Sequence, residues 1–211
     1  MNTESLIATL TADAASGPRR SLARDLSLAL VGGAAAAVAM MAVTLHPRPD
    51  IALVDHDPRF LFKFAVSFAL ACPAAWLAWR AARPQTTPRL ASLMIAPVLL
   101  IFACAIELYV MPSSTWAPRA LGSNAIYCAI CVPIFSIAPM AGLFYALSRA
   151  APANARLAGL VAGLCAGGIG AAAYAAHCTD DSPLFVAIWY SLGVAFMGVV
   201  GALLGPRFLR W

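Results

Sequence analysis

Six long apolar runs, each near the length of a bilayer-crossing helix, leave this chain very few ways to fold. They are Leu26–Leu45, Phe60–Trp79, Leu90–Met111, Asn124–Leu147, Leu157–Ala176 and Leu184–Leu204. A spanning helix needs roughly 20 mostly apolar residues, because the hydrocarbon core is about 30 Å thick and a helix rises about 1.5 Å per residue. Backbone amides find no water inside a bilayer, so each run must satisfy its own hydrogen bonds as a helix. Prolines punctuate the gaps: Pro47, Pro49 and Pro58, then Pro84 and Pro88, Pro112 and Pro118, Pro152, Pro183 and Pro206. The expected fold is an all-α, polytopic transmembrane bundle of six helices. The chain is 62% hydrophobic and 11% charged, against about 45–50% and about 25% in soluble domains. No gap is long enough for a soluble domain. The chain therefore divides into a tail, Met1–Asp25, a six-helix domain, Leu26–Leu204, and a short C-terminal tail, Gly205–Trp211. Arg19, Arg20 and Arg24 before the first run give it the look of a secretory signal. Its apolar stretch exceeds the roughly 7–15 residues of such a core, so a retained span is expected.

Lys and Arg sort the two faces. Arg19, Arg20, Arg24, Arg80, Arg83, Arg89, Arg149, Arg156, Arg207 and Arg210 fall on one side, and Arg48, Arg59, Lys63 and Arg119 on the other. Cytoplasmic loops carry the excess of positive charge, so both termini are expected inside. Trp76, Trp79 and Trp211 at inner helix ends, and Tyr109 and Trp116 at an outer one, fit the aromatic belts of an interface. The net charge of +5 is thereby explained as membrane orientation, and direct binding to nucleic acid is not expected.

Gly159, Gly163 and Gly167 recur at four-residue steps, Gly201 and Gly205 follow in the last run, and Gly33 and Ala37 lie in the first. Such small faces let helices approach closely. They serve packing within one bundle or the face of a homodimer.

The chemistry sits in the few residues that do not suit a greasy bundle. Glu107 lies about one turn from the outer end of the third span, where an ionisable group needs a partner, a function or a path to the headgroups. Lys63 is near the outer start of the second span, where its long stem is expected to snorkel. Of six cysteines, Cys72 and Cys165 fall mid-membrane and Cys104 about two turns below the surface, as packing residues. Cys128 is just inside the outer end of the fourth span. Cys178 lies in the outer loop His177-Cys178-Thr179-Asp180-Asp181-Ser182-Pro183. A short inner loop makes the fourth and fifth spans antiparallel neighbours, which brings these two thiols within plausible reach on the oxidising side. Cys131 completes a C-x-x-C with Cys128, but no βαβ pattern accompanies it. His177, Asp180, Asp181, Glu107 and Cys131 are auxiliary candidates, as sensor groups or metal ligands beside the thiols. Which metal, if any, the set would hold is open. No Ser/His/Asp set, carboxylate pair or phosphate loop stands in a credible context, so no enzyme and no cofactor is expected. In the tail, Leu6, Ile7 and Leu10 share one helical face after Thr3, with Asp13 beyond them. So short a segment is marginal as an isolated helix, and three readings of it stay open: a disordered tail, a helix on the inner membrane surface, or a segment that docks on a partner groove.

Several stretches carry a resemblance. Ala176-His177-Cys178-Thr179-Asp180-Asp181-Ser182-Pro183-Leu184-Phe185-Val186-Ala187 leads into Trp189-Tyr190-Ser191-Leu192-Gly193 and the ending Gly201-Ala202-Leu203-Leu204-Gly205-Pro206-Arg207. Upstream stand Cys128, Pro133 and Pro139, and the N-terminus reads Leu6-Ile7-Ala8-Thr9-Leu10-Thr11-Ala12-Asp13. Together these resemble the NrsF-type anti-sigma factors of proteobacteria, a six-span inner-membrane family. The resemblance implies a regulator that holds an extracytoplasmic-function sigma factor inactive and releases it on heavy-metal or oxidative stress. It places the two functional cysteines at Cys128 and Cys178, and leaves Cys131 outside that pair. The tail departs from the family's form at Ser16-Gly17-Pro18. Beside this reading stand a membrane thiol oxidoreductase using Cys128, Cys131 and Cys178, and a small metal transporter.

Overall fold

The computed structural model describes residues 2–16, 21–83, 90–150 and 152–209. Helix α1, Thr3–Ser16, precedes six helices long and apolar enough to cross a membrane: α2 Leu22–Thr44, α3 Pro58–Ala81, α4 Leu90–Val110, α5 Ala125–Leu147, α6 Ala155–Ala175 and α7 Pro183–Phe208. No strand occurs among the described residues. The expected spans are all present. The first begins four residues early because Ser21 caps it, accepting from the Arg24 amide at 3.4 Å. The last runs four residues long because Pro206 sits inside the helix, where a bilayer helix tolerates it. Short helices at Ile51–Val54 and Trp116–Leu121 lie in the connections.

The most buried helix is α6, with α3, α5 and α7 packed around it, and α2 laid on α5. Glycine makes this possible. A Cβ at Gly159 would run into the Gly201 carbonyl oxygen, one at Gly163 into that of Met197, and one at Gly205 into that of Ala155. Gly33 faces the Pro139 backbone in the same way. These faces are therefore filled inside one bundle by backbone-to-backbone approach. Much of α4 stays exposed, with Val98, Ile101, Phe102 and Tyr109 turned outward.

Two clusters make up the interior. One surrounds Leu77, Leu143, Val161 and Cys165. The other surrounds Cys128, Phe135, Tyr174, Cys178, Phe185 and Tyr190, at the end of the bundle where α2, α4 and α6 finish and α3, α5 and α7 begin.

Candidate functional site: a clamped loop and two buried thiols

The segment between α6 and α7 is short and polar, yet it is held from four sides. Cys178 is buried, and its backbone carbonyl accepts from Lys63 Nζ at 2.7 Å and, more weakly, from Arg48 at 3.5 Å. Asp181 accepts from the same two cations, at 2.6 Å from Lys63 and 2.8 Å from Arg48. Arg48 in turn holds Asp50 through two bonds of 2.7 Å. Phe60, in the first turn of α3, presents its ring to both cations, at 5.3 Å from Lys63 and 5.6 Å from Arg48. The Arg48 guanidinium beside Asp50 pulls that carboxyl below its ordinary range.

Lys63 does not snorkel. It is 0% exposed, because the loop folds over the start of α3 and supplies a carboxylate and a carbonyl to its ammonium. A buried charge is tolerated only with such partners. Glu107 is likewise buried and paired instead of reaching for the headgroups. Its Oε1 accepts from Arg119 at 2.9 Å and from the Ser182 hydroxyl at 3.0 Å. Ser182 is also the cap of α7, accepting from the Leu184 amide.

Asp180 closes the arrangement. Its carboxylate accepts from the backbone amides of Ser123 and Asn124, at 3.0 and 2.8 Å, and from the Asn124 side chain at 2.9 Å. A negative charge at the start of α5 satisfies its orphan amides and its dipole. Cys128 lies one turn further along α5, with its amide bonded to the Asn124 carbonyl. Asp180 thus ties the turn that carries one thiol to the loop that carries the other. Neither thiol is in a disulfide, both are 0% exposed and they share one cluster, with the Cys178 thiol donating to the Asp180 carbonyl at 3.8 Å. Burial pushes the Cys178 thiol above its ordinary range, opposed by the nearby Lys63 charge. A polar cavity of about 460 Å³, lined by Arg59, Arg119, Thr179, Asp180 and Ser182 among others, opens beside the loop.

Of the auxiliary candidates, His177 bonds through Nδ1 to the His46 carbonyl at 2.8 Å, Nδ1–H donating. His46 itself adopts a left-handed conformation that ends α2, with its amide bonded back to Met41. Asp180, Asp181 and Glu107 are committed to the contacts above. Cys131 is half-buried against the thiol cluster. No group of three His, Cys, Asp or Glu side chains converges among the described residues, so these side chains do not assemble a metal cage around the thiols. In α1, Leu6 and Ile7 are exposed. The side chains of Leu10 and Asp13 lie outside the described residues.

Sequence reasoning passed over Arg48, Tyr174 and Tyr190. The Tyr174 and Tyr190 rings stand 5.9 Å apart within the cluster. Both hydroxyls are near the Cys178 sulfur and are buried without a hydrogen-bond partner of ordinary geometry. Tyr190 closes a π-turn, Val186–Tyr190, near the start of α7. Such one-turn irregularities re-aim side chains and collect at functional sites.

Comparison with known proteins places the chain as a whole. The family profile NrsF, described as negative regulator of sigma F, matches residues 10–211. A protein named probable anti-sigma-F factor NrsF, from Azospira oryzae, is 33% identical over 216 residues, covering 100% of both chains. The anti-sigma-F factor NrsF of Caulobacter vibrioides is 33% identical over 217 residues, again covering 100% of both. No solved structure matches. A six-helix chain of this length, matched from end to end, belongs to the NrsF family of negative regulators of sigma F.

Proposed function

We propose that this protein is an inner-membrane anti-sigma factor that holds an extracytoplasmic-function sigma factor inactive. It releases the factor when heavy-metal or oxidative stress reaches Cys128 and Cys178. The N- and C-terminal tails lie in the cytoplasm, and the Cys178 end of the bundle faces outward. The observation that carries the sensing is the pairing of two buried thiols in one cluster, Cys128 on α5 and Cys178 on a loop that is bonded to α3, to the α2–α3 connection, to α4 and to the start of α5.

Chemistry at the thiols cannot stay local in such an arrangement. Bonding them to each other, or both to one thiophilic ion, adds a tether between α5 and the loop. The four anchors carry the resulting shift into the helices. Interiors packed at this density move between discrete arrangements and do not deform smoothly. One arrangement presents a cytoplasmic surface, including Leu6, Ile7, Leu10 and Asp13, that binds sigma, and the other does not. Each tenfold loss of sigma affinity needs about 1.4 kcal/mol of difference between the two. A covalent cross-link, at about 2–4 kcal/mol, is large enough.

Affinity capture of the detergent-solubilised protein from unstressed cells tests the reading. A sigma factor should co-purify and leave on addition of a thiol oxidant or a thiophilic metal ion. Captures that hold no sigma factor contradict it.

A further inference from the structure

Helices α5 and α7 touch near the Cys178 end and meet again near the other through an aromatic pair. Gly193 sits against Val132, where a Cβ would lie 3.0 Å from the valine side chain. Beyond that contact a groove of about 760 Å³ opens between the two helices, with Ile137, Met140 and Ala141 on one wall and Met197, Val200 and Leu204 on the other. Its lining begins at Pro133 and ends at Ser148 on α5, and runs from Phe196 to Phe208 on α7. Fifteen residues of helix rise about 22 Å. The groove thus covers about the last two-thirds of α5 and the second half of α7, about the depth of one leaflet and its headgroup layer.

The mouth has a different chemistry. Tyr145 and Ser148 supply hydroxyls there. Arg149 bonds to the Tyr145 hydroxyl, with its guanidinium 4.2 Å from the centre of that ring. Phe144 and Phe208 meet edge to face at 6.3 Å, bringing the ends of the two helices together. Arg207, next to Phe208, is exposed, as is Arg149. Neither arginine has an acidic partner among the described residues.

From this we infer that the groove between α5 and α7 binds one anionic phospholipid of the cytoplasmic leaflet, its acyl chains along Ile137–Leu204 and its headgroup on Arg149 and Arg207. The charged mouth argues against a second copy of the bundle, because a two-fold contact through this face would set Arg149 and Arg207 against their own copies. The charge argues against a zwitterionic lipid. Two arginines with no acidic partner among the described residues favour a net negative headgroup at a membrane surface, and the Tyr145 hydroxyl, which accepts from Arg149, keeps its proton to donate to a phosphate oxygen. The leaflet follows from the orientation proposed above. The binding of an anionic lipid does not depend on the sensor chemistry.

Native mass spectrometry of the purified full-length protein, titrated with phosphatidylglycerol and separately with phosphatidylcholine of matched chains, tests this. The wild type should bind one phosphatidylglycerol about 10–30-fold more tightly than phosphatidylcholine, the gain expected of two arginines near a surface. Arg149→Gln with Arg207→Gln lies on the exposed rim and should remove the preference without unfolding the bundle. Ala141→Trp should fill the groove and weaken both lipids alike. Equal affinity for the two lipids in the wild type would overturn the inference. So would an unchanged preference in the double variant, or a lipid-free dimer as the dominant species.

Discussion

Replacing Lys63 by Met tests whether the loop at Cys178 is held by charge or only by packing. Methionine keeps most of the length and apolar volume of the side chain and removes the ammonium. Two short bonds are lost, to the Cys178 carbonyl at 2.7 Å and to Asp181 at 2.6 Å. No charge is stranded, because Asp181 keeps Arg48 at 2.8 Å. The expected cost is about 2–3 kcal/mol, the range of a buried charge-assisted hydrogen bond. Asp181→Ala is expected to be worse, about 3–5 kcal/mol, because it leaves the fully buried ammonium with no anion, facing a neutral carbonyl and the Phe60 ring. Arg48 suffers less there, since Asp50 still holds it. The double variant removes both charges, so its cost should fall short of the sum by about 1–3 kcal/mol. The assay is unfolding of the detergent-solubilised protein by added dodecyl sulfate, followed by circular dichroism, with all four proteins in one cycle. Costs that add to within about 0.5 kcal/mol, or a Lys63→Met cost below that, would refute a coupled buried clamp.

Three further outcomes follow from the same geometry. Gly159→Ala drives a Cβ into the Gly201 backbone and should cost about 3 kcal/mol or more by the same unfolding assay, whereas Gly32→Ala, which meets nothing within 4 Å, should gain up to about 1 kcal/mol. Tyr190→Phe removes a buried hydroxyl that lies near the Cys178 sulfur without a hydrogen bond of ordinary geometry among the described residues, so it should leave stability unchanged or raise it by about 1 kcal/mol, and a clear loss would contradict this reading. Leu6→Asp with Ile7→Asp alters exposed positions on α1 and should leave the unfolding curve in place while cutting sigma capture about tenfold or more.

The spans were legible because lipid demands a length and a hydropathy that no neighbour can supply. The thiol pair was legible for a related reason, since counting charges by side left Cys128 and Cys178 at one end of the bundle. The clamp was not. A lysine near a helix end reads as a snorkelling residue until the partner is known, and Asp181 lies more than a hundred positions away. The acidic run at Asp180 and Asp181 had the composition of a metal site. The structure uses one carboxylate to cap α5 and the other to neutralise two cations, a division set by where the helix ends meet. Tyr174 gave no signal, and Tyr190 only its place in the Trp189-Tyr190-Ser191 stretch of the resemblance, because a phenol in an apolar helix looks like core or belt until its neighbours are seen. The glycine steps showed close packing but not with whom, and the contact of α6 with α7 answers that within a single chain.

Release of sigma factor from the purified complex measures the sensing claim most directly. Captured complexes of wild type, Cys128→Ser and Cys178→Ser would be exposed separately to mercuric ion and to hydrogen peroxide, and the sigma factor remaining would be counted. The wild type should lose it, with an affinity drop of at least about tenfold. Both serine variants should hold it at the unstressed level. Equal release from all three proteins would contradict the account.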